Sequence, residues 1–405
     1  MKRSLKKFMG LSLALILAVA SLSGCGSKDS GTKDNSSSAN DNTAGDNTTG
    51  DNTDNSASAE TFLIGGIGPL TGDAASYGTS VKQGAEVAIK EINEAGGVKV
   101  GDKTFTLKLQ FEDDEATPEN AVTAFNTLMD AGMNALMGTV TSGAGLAIKD
   151  LTAQENILQL TPSGSAADLL GNSNAFRLCF TDPLQGVTMA NLAKELGYNK
   201  IAVIYNNSDE YSTGMMQAFV DQVKANGATI VSSESFVKGD VDFKTQLTAI
   251  KATDAQAIFV PAYYQDAAYI TTQASELGMK LPFLGGDGWD GVIAQTVDPA
   301  VLEGSIFLTP FFANSDNAMV KDFVAKYNTA YGATPDQFAA DGYDSIYVIK
   351  SAMEKAGSTE SADMIAAMTQ ITVDGLTGKI TFGADGEPDK AANFVVIKGG
   401  EYTAK

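Results

Sequence analysis

From residue 62 onward the chain alternates between two hydrophobic rhythms. Residues 62–68 form an unbroken run of apolar residues and glycines, the pattern of a strand buried on both faces. Val81, Ala85, Ala88, Ile89 and Ile92 then recur every three or four positions, which predicts a helix that stops at Gly96-Gly97. Phe105, Leu107, Leu109 and Phe111 alternate with polar neighbours, as in a strand. Thr117-Pro118 caps and opens a second helix running to residue 129, and residues 135–140 and 157–161 read as further strands. Strands separated by helices predict a parallel sheet covered on both faces.

The same alternation restarts with strands at residues 201–205, 229–234 and 257–260 and helices near 215–225 and 243–251. Long amphipathic segments follow at 319–331, 338–355 and 362–368, then two short strands at 379–382 and 394–397 that are expected to complete sheets already begun. This body exceeds what one core usually carries, so two doubly wound α/β units are expected. In such sheets ligands bind beyond the carboxyl ends of the strands.

The first 60 residues have a different character. Lys2, Arg3, Lys6 and Lys7 precede an uncharged, largely apolar run from residue 8 to residue 22, which ends in Leu22-Ser23-Gly24-Cys25. A charged start, a short apolar stretch and small residues make the plan of a secretory signal peptide over 1–24, too short for a permanent span of about 20 residues. Leu-Ser-Gly-Cys resembles a bacterial lipobox, which implies lipidation at Cys25. Residues 26–60 are almost all Ser, Thr, Asn, Asp, Gly and Ala and cannot offset ordering entropy by burial. With Cys25 they form a lipidated tether over 25–60, reaching roughly 30–35 Å as a random coil.

Composition narrows the chemistry. The chain has 405 residues, 49 acidic against 28 basic, and no histidine, and its net charge of −21 becomes −25 once the four N-terminal cations are removed. Such a surface repels phosphate backbones, and two arginines, Arg3 and Arg177, leave few bidentate phosphate readers, so nucleic-acid binding is excluded. Absence of histidine closes off Ser-His catalysis and His-containing zinc sites. Cys179, the other cysteine, has no histidine to activate it and reads as a small buried hydrophobe.

The loops after the strands carry the candidate chemistry. Residues 65–78 hold Gly-x-Gly-x-x-x-Gly, one residue off a dinucleotide fingerprint, and present Tyr77 near a sheet end. Ser142 opens a predicted helix, where it reads either as an N-cap or as part of an anion site on the helix start. Thr161-Pro162-Ser163-Gly164-Ser165 repeats that hydroxyl-and-amide device, and the two loops together suit a small carboxylate. In the second unit the loops end in Tyr211, Tyr263 and Asp287-Gly288-Trp289-Asp290. Asp287, between glycines, either shapes a turn or receives an ammonium group.

These loops, in order, are similar to those of the extracellular solute-binding proteins of the Leu/Ile/Val-binding family, receptors of branched-chain amino-acid ABC transporters. The resemblance covers nearly all of residues 61–405. It rests on Ile67-Gly68-Pro69-Leu70-Thr71-Gly72 with Tyr77-Gly78, Gly84-Ala85 through Gly96-Gly97-Val98, Asp113-Asp114, Thr161-Pro162-Ser163, and Phe176-Arg177 with Asp182 and Gln185-Gly186. It implies the type I periplasmic binding protein fold, two doubly wound parallel-sheet lobes joined by a three-crossing hinge. By that analogy lobe 1 is 61–182 plus 311–375, and lobe 2 is 183–310 plus 376–405. It also implies that Ser142, Ser163, Gly164 and Ser165 take the ligand carboxylate, Tyr77 forms a side-chain wall, Tyr211 and Tyr263 close the site, and Asp287 accepts the ammonium. Members often have glutamate at the last position, and some have a disulfide where this chain has Asp113 and Thr141.

The expected protein is therefore a lipid-anchored, extracytoplasmic monomer without cofactor or metal, not an enzyme. It captures a small amino acid, branched-chain first, and delivers it to ABC permease subunits. Two other readings stand beside it. One is a receptor for another small carboxylate, aromatic acid or amide, or a ligand-sensing module. The other is a hydrolase using carboxylates among Asp113, Asp114, Asp287 and Asp290, for which nothing in the sequence fixes the separation that glycoside hydrolysis needs.

Overall fold

The computed structural model describes residues 59–390 and 392–405. The signal peptide, Cys25 and nearly all of the tether expected from the sequence lie outside them. Among the described residues no helix is long and apolar enough to cross a membrane.

A first sheet is built from β1 (Glu60–Gly68), β2 (Val98–Val100), β3 (Lys103–Asp113), β4 (Ala135–Gly138), β5 (Gln159–Thr161) and β6 (Ala175–Arg177), in the order β2-β3-β1-β4-β5-β6. Only β2 runs antiparallel to its neighbour. Between these strands lie α1 (Ala75–Glu94), α2 (Pro118–Asp130) and α3 (Ser142–Gln154). The chain then passes to a second sheet with β7 (Lys200–Asn206), β8 (Thr229–Phe236), β9 (Ala257–Val260), β10 (Phe283–Gly285) and β11 (Ile306–Thr309). Its helices are α4 (Asp182–Glu195), α5 (Glu210–Ala225), α6 (Lys244–Lys251), α7 (Tyr264–Glu276) and the short α8 (Val292–Gln295). The chain next returns to the first lobe as α9 (Ala318–Tyr331), α10 (Gln337–Ala356) and α11 (Ser361–Met368).

The predicted strand at 379–382 does not join either large sheet. It forms β13 (Gly378–Ile380), paired only with β12 (Val373–Gly375) in a separate ribbon, whose turn residues Leu376 and Thr377 donate to Asp344 on α10. The last two strands, β14 (Asn393–Lys398) and β15 (Glu401–Ala404), extend the second sheet antiparallel from β11, in the order β15-β14-β11-β10-β9-β7-β8. The chain thus crosses between the lobes three times.

Burial explains why these segments choose these elements. β1, β4, β7 and β9 are covered on both faces, so their side chains are almost uniformly apolar. Polar caps start the helices: Thr117 Oγ1 accepts from Asn120 N, Asp209 Oδ2 from Ser212 N, and Asp336 Oδ1 from Ala339 N. Gly332 and Gly357 end α9 and α10 in the left-handed conformation.

Two features tie the returning helix α10 to the first lobe and to the third crossing. Helices α1 and α10 touch backbone to backbone, since a Cβ on Gly84 would lie 1.8 Å from Ala339 O and one on Gly342 would lie 2.1 Å from Val81 O. On the far face of α10, buried Asp344 accepts from Leu376 N, Thr377 N and Thr377 Oγ1. Lys390 Nζ donates to Thr377 Oγ1 and lies 3.9 Å from Asp341 Oδ1. Burial pushes the carboxyls of Asp341 and Asp344 up, against the pull of Lys390. The third crossing is therefore tied to the helix that reaches the cleft.

Neither helix can yield at Gly84 without a backbone shift, and overpacking of this kind costs about 1–3 kcal/mol or more. Gly84→Ala is expected to lower the thermal midpoint by several degrees in a circular-dichroism melt. Ala85→Gly, which adds no atoms, should show only the smaller loss of helix propensity, about 1 kcal/mol.

Candidate functional site

The carboxyl ends of both sheets face one another across a cleft. From the first lobe, Tyr77 on α1, Val140, Thr141 and Ser142 at the start of α3, Ser163 and Ser165 after β5, and Phe338 on α10 line a common cavity. From the second lobe come Tyr211 on α5, Tyr263 before α7, and the Asp287-Gly288 turn after β10. The space between them is about 10 Å³, room for about one water.

Aromatic rings fill the rest. Tyr211 and Tyr263 stack with centroids 4.9 Å apart, Tyr77 meets the edges of Tyr263 and Tyr264, and Phe338 lies 4.2 Å from Tyr77. Hydrogen bonds cross the cleft. Tyr77 Oη donates to Gly288 O and accepts from Tyr264 N, while Gln337 donates through Nε2 to Asp287 O and through its backbone N to Asp290 Oδ2. Burial holds the phenols of Tyr77, Tyr211 and Tyr263 well above their usual range, so they act as neutral donors.

The two walls differ in electrical character. On the first lobe, α3 begins at Ser142 with Thr141 before it and no side-chain cap. Its first N–H groups and the positive end of its dipole therefore face the cleft. Ser142 Oγ accepts from Ser165 N (3.2 Å) and Ala166 N (3.1 Å), which leaves its proton free to donate. Ser163 Oγ donates to Val140 O, and the buried Thr141 Oγ1 has no partner. On the second lobe, buried Asp287 accepts from Tyr211 Oη at 3.0 Å. Burial pushes its carboxyl up to about 6, opposed by the hydrogen bond from Tyr211 and by the nearby Gln185 amide. An anion acceptor thus faces a cation acceptor, which is the complement of a zwitterion.

The loop that carries the serines is held from behind. Arg177, fully buried, donates through Nη1 to Gly164 O and through Nη2 to Ala166 O, and its Nε lies 3.0 Å from Glu387 Oε2. Loss of the half-buried Glu387 would leave the buried guanidinium without its charge partner.

This chain matches the periplasmic binding protein family model over residues 61–401. It belongs to that family. Among its relatives is the Leu/Ile/Val-binding protein homolog 3 of Brucella melitensis biotype 1, 32% identical over 314 residues that cover 77% of this chain and 83% of that one. A crystal structure of a leucine-binding protein from Thermotoga maritima superposes with a TM-score of 0.78 at 28% identity, covering 85% of this chain and 97% of that one. The branched-chain amino acid transporter substrate-binding protein LivJ from Streptococcus pneumoniae, solved with isoleucine, superposes with a TM-score of 0.79 at 29% identity, covering 85% and 98%. The fold is accordingly the type I periplasmic binding protein fold.

Within this family member the structure brings Tyr77, Ser142, Ser163, Ser165, Tyr211, Tyr263 and Asp287 into one cavity. Gly164 does not reach it. Its N–H is taken by Thr161 Oγ1 and its carbonyl by Arg177 and Cys179, because the Arg177 fork draws that peptide inward. Ser142 is the first helical residue and not the N-cap, a position that falls to Thr141. Trp289, though at a loop end, is fully buried and donates to Val260 O. Asp113 shapes a turn, accepting from Leu70 N, Thr71 Oγ1 and Glu115 N.

Val140, Thr141, Gly288 and Phe338 line the cavity without having been singled out from the sequence. The first three adjoin Ser142 and Asp287 in the same loops. Phe338 carries no local signal, since only the packing of α10 on α1 brings it to the cleft.

Stability follows from these buried acids. Burial raises Asp287 to about 6, Asp209 to about 7 and Asp290 to about 8, so the folded protein holds protons that the unfolded chain has released near pH 4. The folded state then binds more protons than the unfolded one between about pH 4 and 8, and stability falls as pH rises. The ligand-free protein is expected to melt at a higher temperature at pH 5 than at pH 8, and Asp287→Asn should flatten the slope around pH 6.

Proposed function

We propose that this chain is an extracytoplasmic receptor that closes its two lobes on a small amino acid, branched-chain in the first instance, and hands it to ABC permease subunits. One observation carries the reading: the uncapped start of α3, with Thr141, Ser142 and Ser165, faces Asp287 across the cleft. The ligand carboxylate lies against the first group and its ammonium against Asp287. The relatives support the ligand class, being Leu/Ile/Val-binding proteins by name and, in one solved structure, holding isoleucine.

In this reading lobe 1 comprises residues 61–182 and 311–375 and lobe 2 residues 183–310 and 376–405. The pairing of β14 with β11 supports placing the tail in the second lobe. Residues 1–24 are the export signal, and lipidated Cys25 with the tether to residue 60 holds the receptor at the membrane. Each wall alone meets only one ligand charge, so the full set of contacts exists only when the lobes are closed. Ligand therefore shifts the population toward closure through differential affinity.

L-leucine at 100 to 1,000 times its dissociation constant is expected to stabilise the protein by about 3–4 kcal/mol in a thermal-shift titration. Asp287→Asn should fold and lose that shift; a retained shift would place the ammonium elsewhere. Because binding needs the ionised Asp287, affinity should fall about tenfold per pH unit below about pH 6, while the ligand-free melting temperature moves the opposite way.

A further inference from the structure

Asp290 belongs to the second lobe but bonds to the first. It follows the Asp287-Gly288 turn after β10, and its Oδ2 accepts at 2.9 Å from Gln337 N, the first N–H of α10. It does not line the inner cavity. It lines instead a space of about 720 Å³ where the lobes part, with Phe307 and Tyr402 from the second sheet, Phe311 after β11, and Pro335 and Asp336 ahead of α10. What Asp290 gives to binding is therefore not a ligand contact.

The first N–H groups of a helix have no partner within it. Two carboxyl groups, one from each lobe, meet that need on α10. Asp336 Oδ1 accepts from Ala339 N at 2.9 Å, and Ser80 Oγ donates to Asp336 Oδ2, so this cap is complete within the first lobe. Gln337 N is served from the other side of the cleft, by Asp290. The same glutamine donates through Nε2 to Asp287 O, so one residue joins this contact to the ligand-binding turn. Both partners are buried, Gln337 being 2% exposed and Asp290 5%. Burial, with Asp336 nearby, pushes the Asp290 carboxyl up to about 8, so near neutral pH it holds a proton and repulsion between the two acids does not oppose the contact.

We propose that Asp290 is a clasp that sets ligand affinity without touching the ligand, by accepting from the start of α10 only while the lobes are closed. An interaction present in the closed state alone raises the closed fraction, and so scales the apparent dissociation constant of every ligand by one factor. The clasp rests on the proposed function for its effect on affinity, whereas its effect on lobe closure is a property of the ligand-free chain.

Isothermal titration with L-leucine and L-valine, paired with small-angle X-ray scattering of the ligand-free and leucine-saturated chain, tests this on Asp290→Ala and Asp290→Asn. The alanine variant is expected to weaken both ligands equally, by about fivefold, the size of a lost helix cap. Its ligand-free radius of gyration should exceed that of the parent protein, and the saturated radii should agree. Asparagine keeps a neutral acceptor for Gln337 N and should restore both readings. Asp290→Leu, which keeps the volume and removes the acceptor, gives the alanine reading should that variant fail to fold. Unchanged affinities and radii in the variants that lack the acceptor, unequal losses for the two ligands, or an asparagine variant as impaired as alanine would overturn the clasp. A parent protein that binds neither amino acid would overturn the proposed function, and the ligand-free radii would still decide the clasp.

Discussion

The structure turns on a separation of charge. A zwitterion enclosed by protein is a desolvated ion pair, and each end then needs a partner of its own, because a buried charge left unpaired costs about 3–5 kcal/mol. Here an anion-accepting group and a cation-accepting group are on different bodies. The start of α3 offers amide donors and hydroxyls from the first sheet, and Asp287 offers a carboxylate from the second. In the function proposed above, splitting them across a hinge makes recognition and closure a single event.

That arrangement constrains what surrounds it. Asp287 must be held in place without being neutralised, and Tyr211 Oη and the Asp287 backbone bonds to Gln185 and Gln337 do this with neutral groups. The serine loop must keep its shape for its hydroxyls to face the cleft. Arg177 supplies that rigidity from beneath, and its ion pair with Glu387 links the loop to the third crossing. Tyr77 reaches from α1 to Gly288, so the helix that packs against α10 is also the one that closes on the second lobe. The cleft is therefore connected to α10 and, through Asp344, to the third crossing by two helices in backbone contact.

Much of this was legible in the sequence because parallel sheets covered on both faces write themselves as nearly unbroken apolar strands between amphipathic helices. The residues in the loops after those strands, among them Tyr77, Ser142, Ser163, Ser165, Tyr211, Tyr263 and Asp287, stand at positions that a doubly wound sheet gathers at one end. Long-range packing was not legible. Phe338 reaches the cavity only because α10 returns to the first lobe, and Gly164 turns away only because a distant arginine claims its carbonyl. The strand at 378–380 looked like a sheet member, and a two-residue turn made it half of a small ribbon instead.

The most direct measurement compares L-leucine with its two half-charged analogues, 4-methylpentanoate without the ammonium and 3-methylbutylamine without the carboxylate, by isothermal titration at pH 7.5. Charge partners on opposite lobes predict that each analogue binds at least about a hundredfold more weakly than leucine, since each leaves one buried partner unmet. Either analogue binding within tenfold of leucine would contradict the account.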